Sequence, residues 1–456
     1  MRNKSVTVAA KTAAGLVAAG LLISGCATQA PSSSSSTGAS ASATTTLTQA
    51  QIDTAMSTPT TLEFWSWVPD IQNEINLFEA KYPKIKVNLS NQGGNTAQYQ
   101  KLRTSISSGD VPDVAQIEYS FLPSFTLTKG VLDLAPYGFG DLKPDFTAAA
   151  WGQVTRGDSI YGLPQDVGPT GQLFRTDLFG KAGIAAPTTW DTYAADAKTI
   201  KDKTGAYITD LPGNSMSPIV ALLWQAGAKP FAFDGDKTVT IDLSSPTVTK
   251  VVSFWNDLIQ KDLVATDAQL NDNWYQSMAA GKYASWLAAA WGPVFLQGTA
   301  ASTSGLWSAT TLPQWDASKP SSGNQGGSAD VVMQGSKNPI AAAQLVKFIN
   351  DDPASTTMLA TKQFLFPSNV ATQKSSEFTD QALVFYGGQK VNAVFSGIAG
   401  TVEADWQWLP YNDYVASSFK ETLGKAITDK TDLLTGLAAW EGQIKTYGQQ
   451  QGFTVK

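Results

Sequence analysis

Histidine is absent from all 456 residues, and cysteine occurs once, at Cys26. Without histidine there is no Ser-His-Asp or Cys-His nucleophile and none of the usual zinc sites. A single cysteine excludes an intramolecular disulfide. No GxxxxGK[ST] stretch occurs, which removes the phosphate-cradling P-loop and that class of ATPase. Positive charge is in short supply: 32 Lys and Arg stand against 38 Asp and Glu, a net charge of −6. That balance is unsuited to nucleic acid, whose phosphates need a basic surface. No internal period of solenoid length is present.

The N-terminus carries more information. Arg2, Lys4 and Lys11 precede an apolar run at residues 12 to 23. The run is too short to span a bilayer comfortably but suits the core of a secretory signal. It ends Ile23-Ser24-Gly25-Cys26, and PSSSSSTGASASATTT follows at 31–46. That tract has no aromatic or large apolar side chain to bury, so it is expected to be a flexible spacer, or a glycosylated stalk in the same role. Removal of the three N-terminal positive charges takes the net charge from −6 to −9. Cys26 is then either a free thiol beside an ordinary cleavage site or an attachment point.

Beyond residue 58 about 400 residues remain, too many for one ordinary core, which argues for two domains. The pattern begins as strand and helix in alternation. TLEFWSW reads as a strand, and DIQNEINLFEAKY as a helix stopped by Pro83. KIKVNLS is a strand, NTAQYQKLRTSISSG a helix, and VPDVAQIE a strand. Such alternation predicts a parallel α/β sheet. Later helices are expected at TWDTYAADAKTIKDKTG, started by Thr188 or Thr189, at SPIVALLWQAG, and at SPTVTKVVSFWNDLIQKDL, with a serine cap after Leu243. Two more are expected at NPIAAAQLVKFINDDP, ended by Pro353, and LTGLAAWEGQIKTYG. Aromatics are plentiful, with 14 Trp, 13 Tyr and 20 Phe. Most are core candidates, but several stand in polar, Gly/Pro-rich surroundings.

Five stretches in order carry a resemblance: FWSWVPDIQNEINLFEAKYPKIKV (64–87), YQKLRTSISSGDVPDVAQIE (99–118), YGLPQDVGPTGQLFRTDLF (161–179), MAAGKYASWLAAAWGPVF (278–295), and LPQWDASKPSSGNQGGSADVVMQGSKNPIAAAQLVKFI (312–349). Together they resemble family 1 extracellular solute-binding proteins, the sugar-binding subunits of ABC importers. Ile-Ser-Gly-Cys resembles the bacterial lipobox. It implies a diacylglycerol on Cys26, cleavage before it, and an extracytoplasmic protein anchored to the cell membrane. The resemblance implies a two-lobed periplasmic-binding-protein-like α/β fold (type II), with the ligand cleft between lobes at a hinge crossed several times. Residues 1–25 would be the lipoprotein signal and 26–58 the linker. Lobe one would be 59–167 plus 324–377, and lobe two 168–323 plus 378–456, with crossings near 167–171, 323–324 and 375–380. Glycine-rich QDVGPTG and SSGNQGG suit two of these crossings.

In an open α/β sheet, ligands bind beyond the carboxyl ends of the strands. Candidates there are Trp65, Trp67 and Asp70, of which Trp67 is favoured as the exposed tryptophan. Others are Asn91, Gln92 and Asn95; Glu118 and Tyr119; Gln165 and Asp166; and Asn214 and Met216. Trp291 follows, then Gly327 (for close backbone approach) with Gly326, Ser328 and Asp330, and finally Trp406, Trp408 and Tyr411. A pyranose has apolar C–H faces, which suit aromatic platforms, and a rim of hydroxyls, which suits carboxylates and amides. The expected role is capture of an oligosaccharide by lobe closure, with transfer to a membrane permease whose ATPase is a separate subunit. No catalysis, cofactor or metal is expected, and the chain is expected to act as a monomer. Two alternatives stand. One is a secreted carbohydrate-active hydrolase using Glu118 and Asp166 as its acid and base. The other is a receptor for a non-sugar solute such as a cationic osmolyte, held in aromatic boxes.

Overall fold

A computed structural model describes residues 46–456. Cys26, the signal and most of the serine tract lie outside the described residues. So do the side chains of Asn95 and Thr96.

The first α/β stretch follows its sequence pattern. In β1 (Thr60–Trp65), Leu62 and Phe64 point inward while Glu63 is exposed. In α1 (Gln72–Lys81) the buried face is Glu74, Ile75 and Phe78, and the helix stops one residue short of the Tyr82-Pro83 pair. In β2 (Ile85–Ser90), Ile85 and Val87 are buried. Helix α2 (Asn95–Ser108) buries Tyr99 and Leu102, then ends on Gly109 in the left-handed conformation. In β3 (Val114–Glu118) every residue before Glu118 is buried. A short helix α3 (Leu122–Leu127) and helix α4 (Ala148–Val154) follow.

The strand β4 (Leu163–Arg175) is long, at 13 residues. After it come α5 (Trp190–Thr204), α6 (Ser217–Gln225), α7 (Pro246–Gln260), β5 (Ser285–Ala289), α8 (Gly292–Thr299), β6 (Trp307–Thr311) and β7 (Asn324–Val332). The last part is helical: α9 (Pro339–Asp351), α10 (Pro353–Thr361), α11 (Asn412–Glu421) and α12 (Leu433–Gln450) are its main helices.

The strands form a sheet in the order β6-β4-β7-β3-β1-β2, with β5 also paired to β4. Only β1, β2 and β3 run parallel, and every other pairing in this sheet is antiparallel. The parallel sheet expected from the opening alternation holds for those units. Later strands return through β4 and β7, which run against their neighbours. Strand β4 serves two sets of partners. Residues 163–169 pair with β7, and 170–175 pair with β5 and β6. Glycine is required at the changeover: a Cβ on Gly168 would lie 2.0 Å from the Gln325 carbonyl oxygen.

Apolar side chains divide accordingly. Phe64, Ile75, Phe78, Val332 and Leu345 share one buried cluster, and Trp190, Leu223, Trp255, Val415 and Trp440 share another. A third cluster, including Ile117, Val167, Leu173 and Trp286, runs along both parts of β4. Two helix boundaries differ from expectation. Thr189 caps α5 in a reciprocal capping box with Thr192, but at α7 the Ser245 hydroxyl turns back to the Asp242 carbonyl instead of capping. Pro353 does not merely end α9. It opens α10 at the first helical position, where its missing N–H costs nothing.

Candidate functional site

The carboxyl end of β3 lies beside the facing ends of β7 and β4. Ser328 on β7 pairs with Glu118 on one side and with Asp166 on the other, which sets three candidates in a row. A buried glutamine on β3, Gln116, joins Ser328 of this row to the turn after β1. Gln116 Oε1 accepts from Ser66 Oγ at 2.9 Å and from the Trp67 backbone N–H at 3.2 Å. Its Nε2 donates to Ser328 Oγ at 3.0 Å. Ser328 donates from Oγ at 2.6 Å and from its backbone N–H at 2.9 Å, both to Asp166 Oδ1. The relay fixes the turn after β1 relative to the carboxylate on β4. Burial pushes Asp166 up to about 6, and the Ser328 hydrogen bonds oppose that shift.

Trp67 is half-buried, its ring edge-on to Tyr99 at 6.1 Å. The Tyr99 hydroxyl accepts from the Glu118 backbone N–H at 2.9 Å. Trp291 is half-buried at the start of α8 and donates from Nε1 to the Gln325 carbonyl at 3.1 Å. It meets Trp286 and Phe295 edge-on. Asp70 is exposed in the left-handed conformation, φ 57°. Asn91 is exposed, and its Oδ1 accepts from Gly93 N–H in a turn.

Several expected residues are committed elsewhere. Tyr119 is buried, and its hydroxyl donates to the Asp166 carbonyl at 2.9 Å. Gly327 makes room for that ring: at φ 94°, a Cβ would fall 2.6 Å from Tyr119 Cε2. Asn214 is exposed and exchanges two hydrogen bonds with the Gln269 backbone, holding a loop. Trp406 is not free as a platform. It is buried and stacked on Trp224 at 5.0 Å, 11° from parallel. Trp408 is half-buried and donates to Gln153 Oε1. Both line a pocket of about 270 Å³ together with Tyr119, Gln153 and Arg156. Met216 and Tyr411 belong to the same apolar cluster as Trp255. Asp330 is fully buried, its Oδ2 accepting from Gln165 and Asn350, and burial pushes it up to about 7. The residue that sequence reading missed is Gln116. An amide inside the otherwise apolar strand VAQI needs partners, and that was its one visible signal.

A solute-binding scaffold is the class of protein that this strand order and polar row define. The profile of the bacterial extracellular solute-binding protein family matches residues 63–356, and the chain belongs to that family. It is 26% identical over 311 residues to the lactose-binding protein of Rhizobium radiobacter, spanning 63% of this chain and 69% of the relative. It is 28% identical over 293 residues to the diacetylchitobiose binding protein DasA of Streptomyces coelicolor, spanning 63% and 66%. Among solved structures, the ABC transporter associated binding protein of B. animalis subsp. lactis Bl-04, in complex with β-1,6-galactobiose, is similar at 30% identity. That match has a TM-score of 0.73 and covers 87% of this chain and 99% of that one. The galacto-N-biose-/lacto-N-biose I-binding protein of Bifidobacterium longum shares the fold at TM-score 0.74, 24% identity, and 87% and 98% coverage. The family is one of bacterial extracellular solute-binding proteins, and these relatives are named as binding proteins. Among the described residues no helix is long and apolar enough to cross a membrane.

Proposed function

We propose that this chain is the substrate-binding component of an ABC sugar importer, which captures an oligosaccharide and delivers it to a membrane permease. One observation carries the reading. The same short segment of β7 anchors a half-buried tryptophan and a buried-edge carboxylate, through Gln325 to Trp291 and through Ser328 to Asp166. That pairing meets the two needs of a sugar, an aromatic face and a fixed acceptor. Trp67, Asp70, Asn91, Asn95 and Glu118 complete the proposed contact set, with Ser328 and Gly327 supporting it. The lobes are 59–167 with 324–377, and 168–323 with 378–456, and closure between them traps the ligand. Cys26 carries the lipid that holds the receptor at the membrane, and ATP is hydrolysed by a separate subunit. Names of relatives support a ligand of two or more sugar rings.

Calorimetry against a panel of neutral di- to tetrasaccharides tests this, with choline and polyamines in parallel. Saturable binding of a sugar without its consumption is the expected result. Binding of the cations alone, or turnover of a chromogenic glycoside, overturns it.

A further inference from the structure

A pocket of about 320 Å³ lies between α8 and the turn that follows α10, lined among others by Pro293, Val294, Gln297, Phe364, Phe366 and Asn392. Two features single out Phe364. Its ring is 53% exposed, with Val294 across the pocket and Phe295 beside it also exposed. Its backbone sits at φ 58°, a conformation that bulky side chains rarely adopt. The turn is held there from both sides. Gln363 Nε2 donates to the Asp70 carbonyl at 3.3 Å and to Glu74 Oε2 at 3.2 Å. The Phe366 carbonyl accepts from Val167 N–H at 3.0 Å, and Pro367 bridges to Asp166. The turn is thus fastened between two proposed contact residues, Asp70 and Asp166. On the other wall, Trp291 immediately precedes α8, and its ring meets Phe295 edge-on.

No charged side chain lines the pocket, which offers aromatic and aliphatic surface with the amides of Gln297, Gln381 and Asn392. That chemistry suits a neutral hydroxylated ring and offers no ion pair to a cation or an acid. We infer that this pocket is a second sugar subsite, taking a ring beyond the one stacked on Trp291, with Phe364 as its platform. The inference rests on the oligosaccharide reading above.

The test is Phe364→Ala, with Phe364→Trp as the variant that keeps a platform, each measured by calorimetry against a length series of the bound sugar. Phe364→Ala is expected to weaken the longest ligand about tenfold while leaving the shortest within about twofold, and Phe364→Trp to restore the difference. Equal loss at every length, with melting unchanged, overturns a separate subsite. Unchanged affinity at every length with slower uptake in a reconstituted importer also overturns it, and makes the pocket a docking face. If the wild type binds no sugar at all, the oligosaccharide reading fails first and the subsite falls with it. Binding that survives in the wild type while the variants show no length dependence fails the subsite alone.

Discussion

Arg103 and Asp413, 310 positions apart in the chain, meet at 2.6 Å between Nη2 and Oδ2. The pair joins α2 to α11, one helix from each proposed lobe. Both side chains are close to half-exposed, so the pair adds little to folding stability, on the order of 0.5 kcal/mol. In the proposed closure, a contact present in the closed form alone would shift the equilibrium by its full worth. Arg103→Ala is expected to weaken sugar binding by about twofold, with melting unchanged and the difference vanishing in high salt. An Arg103→Ala protein with wild-type affinity at low salt would remove the pair from the closing mechanism.

Two tryptophans should separate binding from stability. Trp291 is half-buried and tied by one hydrogen bond, whereas Trp406 is enclosed against Trp224, Phe231 and Trp408. Trp291→Ala is expected to lower affinity tenfold or more, at about 1.4 kcal/mol per decade, with a small loss of stability. Trp406→Ala is expected to cost about 3–5 kcal/mol of stability by leaving a cavity. Denaturant unfolding and calorimetry on both variants give the comparison, and an exchange of the two phenotypes would reverse the assignment.

Gly327→Ala tests the packing beneath the polar row. The added methyl would meet Tyr119 at 2.6 Å and the Asp166 carbonyl at 2.9 Å, on a backbone that disfavours side chains. A loss of about 2–3 kcal/mol is expected from strain and overpacking together. Relief by Tyr119→Phe is not expected, since the clash is with the ring carbon and not the hydroxyl. Thermal melting of the single and double variants decides this.

Stability should depend on pH in a specific direction. Burial pushes Glu74, Asp210 and Asp330 up to about 7, and Asp166 up to about 6. Unfolded, all four titrate near 4, so between about pH 4 and 7 the folded chain holds more protons than the unfolded chain. Their contribution is therefore full below about pH 4 and is lost as pH rises through 6 and 7. Asp234, held by the backbone N–H groups of Asp236 and Thr238, and Asp262, held by Lys430, are lowered to about 2, and their contribution is lost below about pH 4. Melting temperature is expected to peak at mildly acidic pH and fall toward about pH 8, and Asp330→Asn should flatten the alkaline side of that peak. A melting temperature that climbs steadily from pH 5 to about 8 would contradict the buried carboxyls.

The part of the fold legible in the sequence is the part whose period is local. Leu62 and Phe64, or Ile75 and Phe78, announce a face by spacing alone. The direction of β4 and β7 was not legible, because strand direction depends on partners far along the chain. At the proposed site, Trp291 was singled out by the family resemblance at Trp-Gly-Pro, and Asp166 by its place in the glycine-rich QDVGPTG. Trp406 sits in an equally polar stretch, DWQWLPYNDY, yet folds inward because Trp224 supplies a parallel face from α6. Gln116 shows the reverse: its surroundings are apolar in sequence, and only partners from distant segments give it a role.

The double service of β4 has a consequence for the order in which the chain can be completed. Strand β3 pairs with β7, not with β4, so the edge beyond β3 stays open until residues 324–332 have followed. Strand β4 in its turn has no neighbour on either side until β5, β6 and β7 arrive. Neither half of the molecule can close its sheet from an early fragment, and folding depends on contacts of long sequence separation. A fragment that stops before residues 324–332 therefore leaves β3 and β4 with unpaired edges, which are templates for association with other chains.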